Sequence, residues 1–198
     1  MALTNTQDII EKFELFIGDS TELSSSEELD LCQKVYNKIL ASEEWEFLKK
    51  EATGSVSGTD ITQPADFDRL TSDQTIYLGS NNQVRQIIPF QDRRQYQNSK
   101  GYVYYDARQQ KFVFTQSEND TYSFDYIMVP PLLDTTSSNP LLPIRFYDAI
   151  YHGMCVDSDI INLSEKARSY AQLNQLRYDE ILADAKSWNK KISAYNHY

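Results

Sequence analysis

Apolar and polar positions in the first fifty residues alternate with a helical period. Ile9, Ile10, Phe13, Phe16 and Ile17 recur at spacings of three and four, which predicts a helix over 6–17 ended by Gly18-Asp19. Ser24 with Glu27, and Ser25 with Glu28, both have the spacing of a capping box, in which hydroxyl and carboxylate satisfy free backbone N–H groups. A second helix follows, with Leu29, Cys32, Val35, Tyr36, Ile39 and Leu40 as its apolar stripe. Ser42-Glu43-Glu44 opens a third helical segment leading into Trp45, Phe47 and Leu48.

From Ala52 the period shortens. Gly54, Gly58, Pro64, Gly79, Pro89 and Gly101 punctuate short runs rich in β-branched and aromatic residues. Strands are predicted over 75–78, 84–88, 102–105, 111–115 and 122–129, with a hairpin loop at 106–110 and a short helix at 92–98. In the last strand Tyr122, Phe124, Tyr126 and Met128 make an aromatic face, opposite Ser123, Asp125, Ile127 and Val129.

The stretch from Phe124 to Ile150 changes pattern halfway along. Pro130 and Pro131 lack N–H donors and end the strand, and a polar spacer carries the chain away. Pro143 suits the first position of the next helix, whose face is Phe146, Ala149, Ile150, Gly153 and Met154. A last helix carries Ala167, Tyr170, Ala171, Asn174, Tyr178, Ile181, Leu182, Ala185, Trp188 and Ile192. Tyr178, Ile181, Leu182 and Ala185 are expected to pack against the N-terminal helices. The order predicts an α+β protein: a helical bundle formed by N- and C-terminal helices (1–52 and 133–192), an inserted antiparallel β-rich module (53–132), and a flexible tail (193–198).

Composition adds little to that outline, but charge adds more. With 198 residues, 40% hydrophobic and 24% charged, the chain has the make-up of an ordinary folded protein. No apolar run reaches the ~20 residues of a membrane helix. The N-terminus lacks the basic and apolar segments of a secretory signal. Net charge is −10, with 12 acids and 5 bases in residues 1–52, 10 and 7 in 53–142, and 7 and 7 in 143–198. Such a chain lacks the basic face needed to grip a phosphate backbone, yet suits a surface past which DNA slides unheld. Cys32 and Cys155 fall in helical patterns and are expected as reduced, packed thiols.

Candidate chemistry is sparse. His152 lies beside an apolar helix face and His197 near the end of the chain, and neither belongs to a zinc-binding spacing. No phosphate loop and no Gly-x-Ser-x-Gly elbow is present, so no cofactor or metal is expected. Glu43 with Glu44 and Asp157 with Asp159 read as solvated acidic faces. A tail-associated hydrolase of cell-wall glycan would need two such groups facing each other across a cleft. The aromatic hairpin from Tyr102 to Phe114 reads as core or protein interface; the alternative is a receptor- or nucleic-acid-binding β-module whose aromatics stack bases. The 14 tyrosines suit interfaces that are wet on one side.

The succession of features is similar to a known family. Phe16-Ile-Gly-Asp-Ser-Thr-Glu-Leu-Ser-Ser-Ser-Glu-Glu-Leu29 precedes a helix ending near Glu44-Trp45-Glu-Phe-Leu48, then Thr53-Gly-Ser-Val56 and a β-rich section. That section closes on Phe124-Asp-Tyr-Ile-Met-Val-Pro-Pro-Leu-Leu133, followed by Leu142-Pro-Ile-Arg-Phe146, the Leu-Pro-x-x-Phe helix start. Over about residues 3–190 this resembles the head-to-tail adaptor, or connector, proteins of tailed bacteriophages. The resemblance implies a structural virion protein without catalytic residues, made in the bacterial host cytoplasm and placed in the phage neck. It implies a ring, commonly of twelve copies, under the portal protein, with the next tail or nozzle protein beyond it and genomic DNA passing through during ejection. It also implies that the C-terminal segment reaches the portal. That segment is basic on an acidic chain and offers Trp188, Lys190, Lys191, Ile192, Tyr195 and Tyr198 as portal contacts, aromatic and aliphatic anchors flanked by lysines. A frayed helix end whose lysines favour the negative pole of the helix dipole would look the same in sequence.

Overall fold

The computed structural model describes residues 3–18, 23–134, 137–163 and 165–196. The chain forms two compact units, one from 1–47 with 131–198 and the other from 48–130.

In the first unit, helix α1 (Thr6–Ile17) starts where the Asn5 side chain accepts from the Asp8 N–H and ends where Gly18, at φ 78°, turns its N–H back to the Glu14 carbonyl. Helix α2 (Ser25–Leu40) uses the first of the two possible capping boxes. The Ser24 N–H donates to the Glu27 carboxylate at 2.7 Å. Glu28 is thereby left pointing inward and is buried. The expected third helix is only a 3-10 turn at Glu46–Leu48. Trp45 is fully buried and its indole donates to the Ile39 carbonyl at 3.2 Å, so the chain folds back on α2 before a helix can grow.

The polar spacer is tied down rather than loose. Both the N–H and hydroxyl of Thr6 donate to the Ser138 carbonyl, the Leu133 N–H donates to Gln33 Oε1, and the Leu141 N–H donates to the Tyr36 hydroxyl. Leu133, Pro140 and Leu142 are buried along it. Pro143 sits one place ahead of the predicted position, capping a 3-10 turn at Ile144–Phe146 that runs into helix α3 (Tyr147–Cys155). Helix α3 packs on α1, on α2 and on the long helix α5 (Glu165–Asn196), which follows the short helix α4 (Ser158–Leu163). The stretch expected as a flexible tail is helical through Asn196; residues 197 and 198 lie outside the described part.

Ala167, Asn174, Tyr178, Ala185 and Asn189 form the buried face of α5. Ile181 and Leu182 are half-buried, and the main neighbour is α3 rather than the N-terminal helices. At about 1.5 Å per residue, nine-residue α3 covers only part of 32-residue α5, so much of the long helix stays exposed.

The second unit is built on strands β1 (Lys49–Thr62), β2 (Phe67–Leu70), β3 (Thr75–Leu78), β4 (Gln83–Ile88), β5 (Tyr102–Asp106) and β6 (Lys111–Met128). The two strands predicted over 111–115 and 122–129 are one continuous strand, β6. It pairs along one side with β1 and along the other with β5, β3 and β2 in turn. The path β6-β3-β4-β5 closes on β6 again. The expectation of a purely antiparallel module is corrected at one pair: β4 and β5 run parallel, with Gln86 opposite Tyr102, because the crossover at 89–101 returns the chain to the same end. Val56, Ile76, Leu78, Val103, Phe112, Phe114, Phe124 and Tyr126 fill the interior. From the aromatic hairpin Val103, Phe112 and Phe114 enter the core with Tyr105 packed against them, and from the last strand Phe124 and Tyr126 do so with Tyr122 and Met128 beside them.

Candidate functional site

Of the predicted contact residues, Trp188, Lys190, Lys191, Ile192 and Tyr195 sit on the last three turns of α5. Helical spacing splits them between two environments. Trp188 turns toward the start of α3, where its ring meets Phe146 edge-on at 5.7 Å between centroids. The Arg145 guanidinium lies over both rings, 4.6 Å from Phe146 and 4.9 Å from Trp188. Arg145, Phe146, Ile181, Asp184, Trp188 and Lys191 line a shallow groove of about 400 Å³. Ile192 is half-buried, while Lys190 and Lys191 are exposed. The side chain of Tyr195, and the whole of Tyr198, lie outside the described residues.

Asn189 is a residue that sequence reasoning passed over. It is 3% exposed. Its Oδ1 accepts from the Glu46 N–H and its Nδ2 donates to the Glu44 carbonyl, both at 2.8 Å. The end of α5 is thus pinned to the turn after α2. A polar residue four positions after Ala185, in phase with the buried face, was the available signal. Arg145 and Phe146 were legible only as part of a helix start.

Elsewhere the candidate chemistry is absorbed into packing. His152 accepts or donates at Nδ1 with Asn174 Oδ1 at 2.9 Å; burial holds its pKa below the usual imidazole value, partly opposed by that bond. Cys32 and Cys155 are free thiols, and burial pushes each up to about 12, so both are protonated at neutral pH. Asp157 and Asp159 both face Lys34, at 2.8 and 4.0 Å. Among the described residues no cluster of three or more His, Cys, Asp or Glu is placed to hold a metal ion. No helix there is long and apolar enough to cross a membrane.

The SU10 adaptor protein family model matches residues 4–194, nearly the whole chain. The chain belongs to the SU10 adaptor protein family. No curated protein matches the sequence. As a member of a phage adaptor family, the adaptor is a structural component of a phage particle, which agrees with the resemblance read from residues 16–29, 124–133 and 142–146. Family membership implies a non-enzymatic role and contacts with other phage head and tail proteins. In this chain the helix-start motif provides the partners of Trp188: the Phe146 ring and the Arg145 cation above both rings.

Proposed function

We propose that the protein is a head-to-tail adaptor whose two chain ends close a helical bundle and whose copies form a ring, of twelve, under the portal. The ring joins capsid to tail and lines the passage for DNA, which it does not bind specifically. Exposed Lys190 and Lys191, with the Arg145–Trp188 groove beside them, face the portal, and a tail or nozzle protein docks on the far side.

The observation that carries this reading is the family match across residues 4–194. Two features of the chain support it. Leu173 and Leu176, one helical turn apart on α5, are each more than half exposed, apolar side chains left for a neighbour. The net charge of −10 disfavours adhesion to DNA. The test is reconstitution. Added to portal-bearing heads that lack it, the protein should attach and allow the heads to retain their DNA. Attachment to heads without a portal, or none to heads with one, would refute the reading.

A further inference from the structure

The crossover between β4 and β5 concentrates positive charge on an acidic chain. Residues 83–111 carry six bases (Arg85, Arg93, Arg94, Lys100, Arg108, Lys111) and two acids (Asp92, Asp106). Arg85 and Lys111 are spent inside the unit, on Glu118 at 2.8 Å and Asp60 at 2.7 Å. Arg94 and Lys100 are exposed. Arg93 stacks on the exposed Phe90 ring at 3.9 Å while donating to the Phe90 carbonyl.

Around these cations lie the tyrosines not used by the core. Tyr96 and Tyr102 have ring centroids 4.3 Å apart, and Phe90 meets Tyr104 edge-on at 5.7 Å. Thr115 donates to the Ser99 carbonyl, and Gln116 to the Asn98 carbonyl, so β6 holds the crossover in place. Arginines and preordered tyrosines in a fixed loop are the composition of a protein-binding hot spot. The complementary charge is present in the same chain: residues 1–47 carry eleven acids and three bases.

We infer that the Arg93–Arg94–Lys100 surface, with Phe90, Tyr96 and Tyr102, receives the acidic N-terminal helices of a second copy of this chain. The inference rests on the ring reading. A ring of like subunits needs two unlike surfaces that meet in one direction, and this chain carries one of each sign. Single-stranded nucleic acid, the other class that basic and aromatic groups attract, is disfavoured by the chain's overall charge.

A paired charge reversal tests the contact. The full-length R94E/K100E and E11K/D30K variants are each added to portal-bearing heads, alone and in equal mixture. Alone, each presents two surfaces of like sign, and attachment should be lost. Mixed, each variant's altered surface meets the other's, and attachment should return. Attachment of either variant alone at the wild-type level, or no recovery on mixing, overturns the inference and leaves the adaptor reading intact. Failure of the wild type itself overturns both. Retained attachment with loss of binding to a single-stranded oligonucleotide would make the patch a nucleic-acid surface instead. Should a reversed variant fail to fold, R94Q/K100Q replaces it, with weaker attachment expected and unchanged attachment overturning the inference.

Discussion

Asn189, seven residues before the end of the described helix, donates its amide to the carbonyl of Glu44 and accepts the N–H of Glu46. The end of α5 is therefore part of the folded subunit, not a free arm. Replacing Asn189 with leucine should remove both bonds to the half-buried Glu44–Glu46 turn and cost about 1–3 kcal/mol. Denaturant unfolding of the variant measures it; a loss under about half a kcal/mol, typical of surface sites, would show that the bonds are replaced by water.

This pinning changes what a truncation can report. From sequence, deletion of 187–198 is expected to spare the fold and abolish attachment. With Trp188 against Phe146 and Asn189 buried, that deletion should also lower the thermal midpoint. The cleaner variant is K190E/K191E, which alters exposed charges alone. It should unfold within about 0.5 kcal/mol of wild type and lose attachment to portal-bearing heads; wild-type attachment would remove the lysines from the interface.

Glu28 carries a pH signature. It is 2% exposed, its Oε1 has no hydrogen-bond partner among the described residues, and burial, with the nearby Glu14 carboxylate, raises its pKa to about 7. The folded state thus holds this proton more tightly than the unfolded chain does. For this group stability should be highest below about pH 4.5, fall as pH rises through about 7, and then level off. Glu28→Gln should flatten that slope and stabilise the protein at pH 8 by about 1–3 kcal/mol. Thermal melts across pH 5–8 that show the same slope in both proteins would contradict it.

Gly153 is a point of close approach between α3 and its neighbours. A Cβ there would press on Val35 Cγ1 and lie 3.1 Å from the Tyr178 ring. Gly153→Ala gains about 1 kcal/mol in helix propensity but overpacks the site at a cost of about 1–3 kcal/mol. A net loss of stability is expected; a gain would mean that α3 can move away from Val35 of α2 and Tyr178 of α5 without penalty.

The helices were legible because their stripes are continuous, and the shorter strands because turn residues bound them. The longest strands were not. Gly54 and Gly58 read as breaks, yet both lie inside β1. At Gly54 the Tyr122 side chain covers the strand so closely that a Cβ would stand 2.7 Å from its hydroxyl. At Gly58, φ is 125° and the register with β6 shifts, so this glycine marks a bulge rather than an end. The polar run 116–121 hid the middle of β6 for a related reason. That segment is largely exposed, so no burial alternation is written into it, although its backbone pairs with β1. At the candidate site, the lysines and Trp188 were legible as composition. Their division between a packed ring and exposed charges was not, because it depends on Phe146 and Arg145 some forty residues away.

The isolated protein should be monomeric or weakly associated at micromolar concentration, since rings formed in advance would compete with ordered assembly on the portal. Light scattering that finds a stable dodecamer without portal would contradict this.

Copies of this chain are proposed to sit under the portal with the end of α5 against it. Cryo-electron microscopy of the assembled phage neck tests it directly. The map should show a ring of these chains, with Trp188 to Ile192 at the portal surface and DNA in the lumen. A neck in which the portal instead touches the β-rich unit, or in which this chain forms no ring, would contradict it.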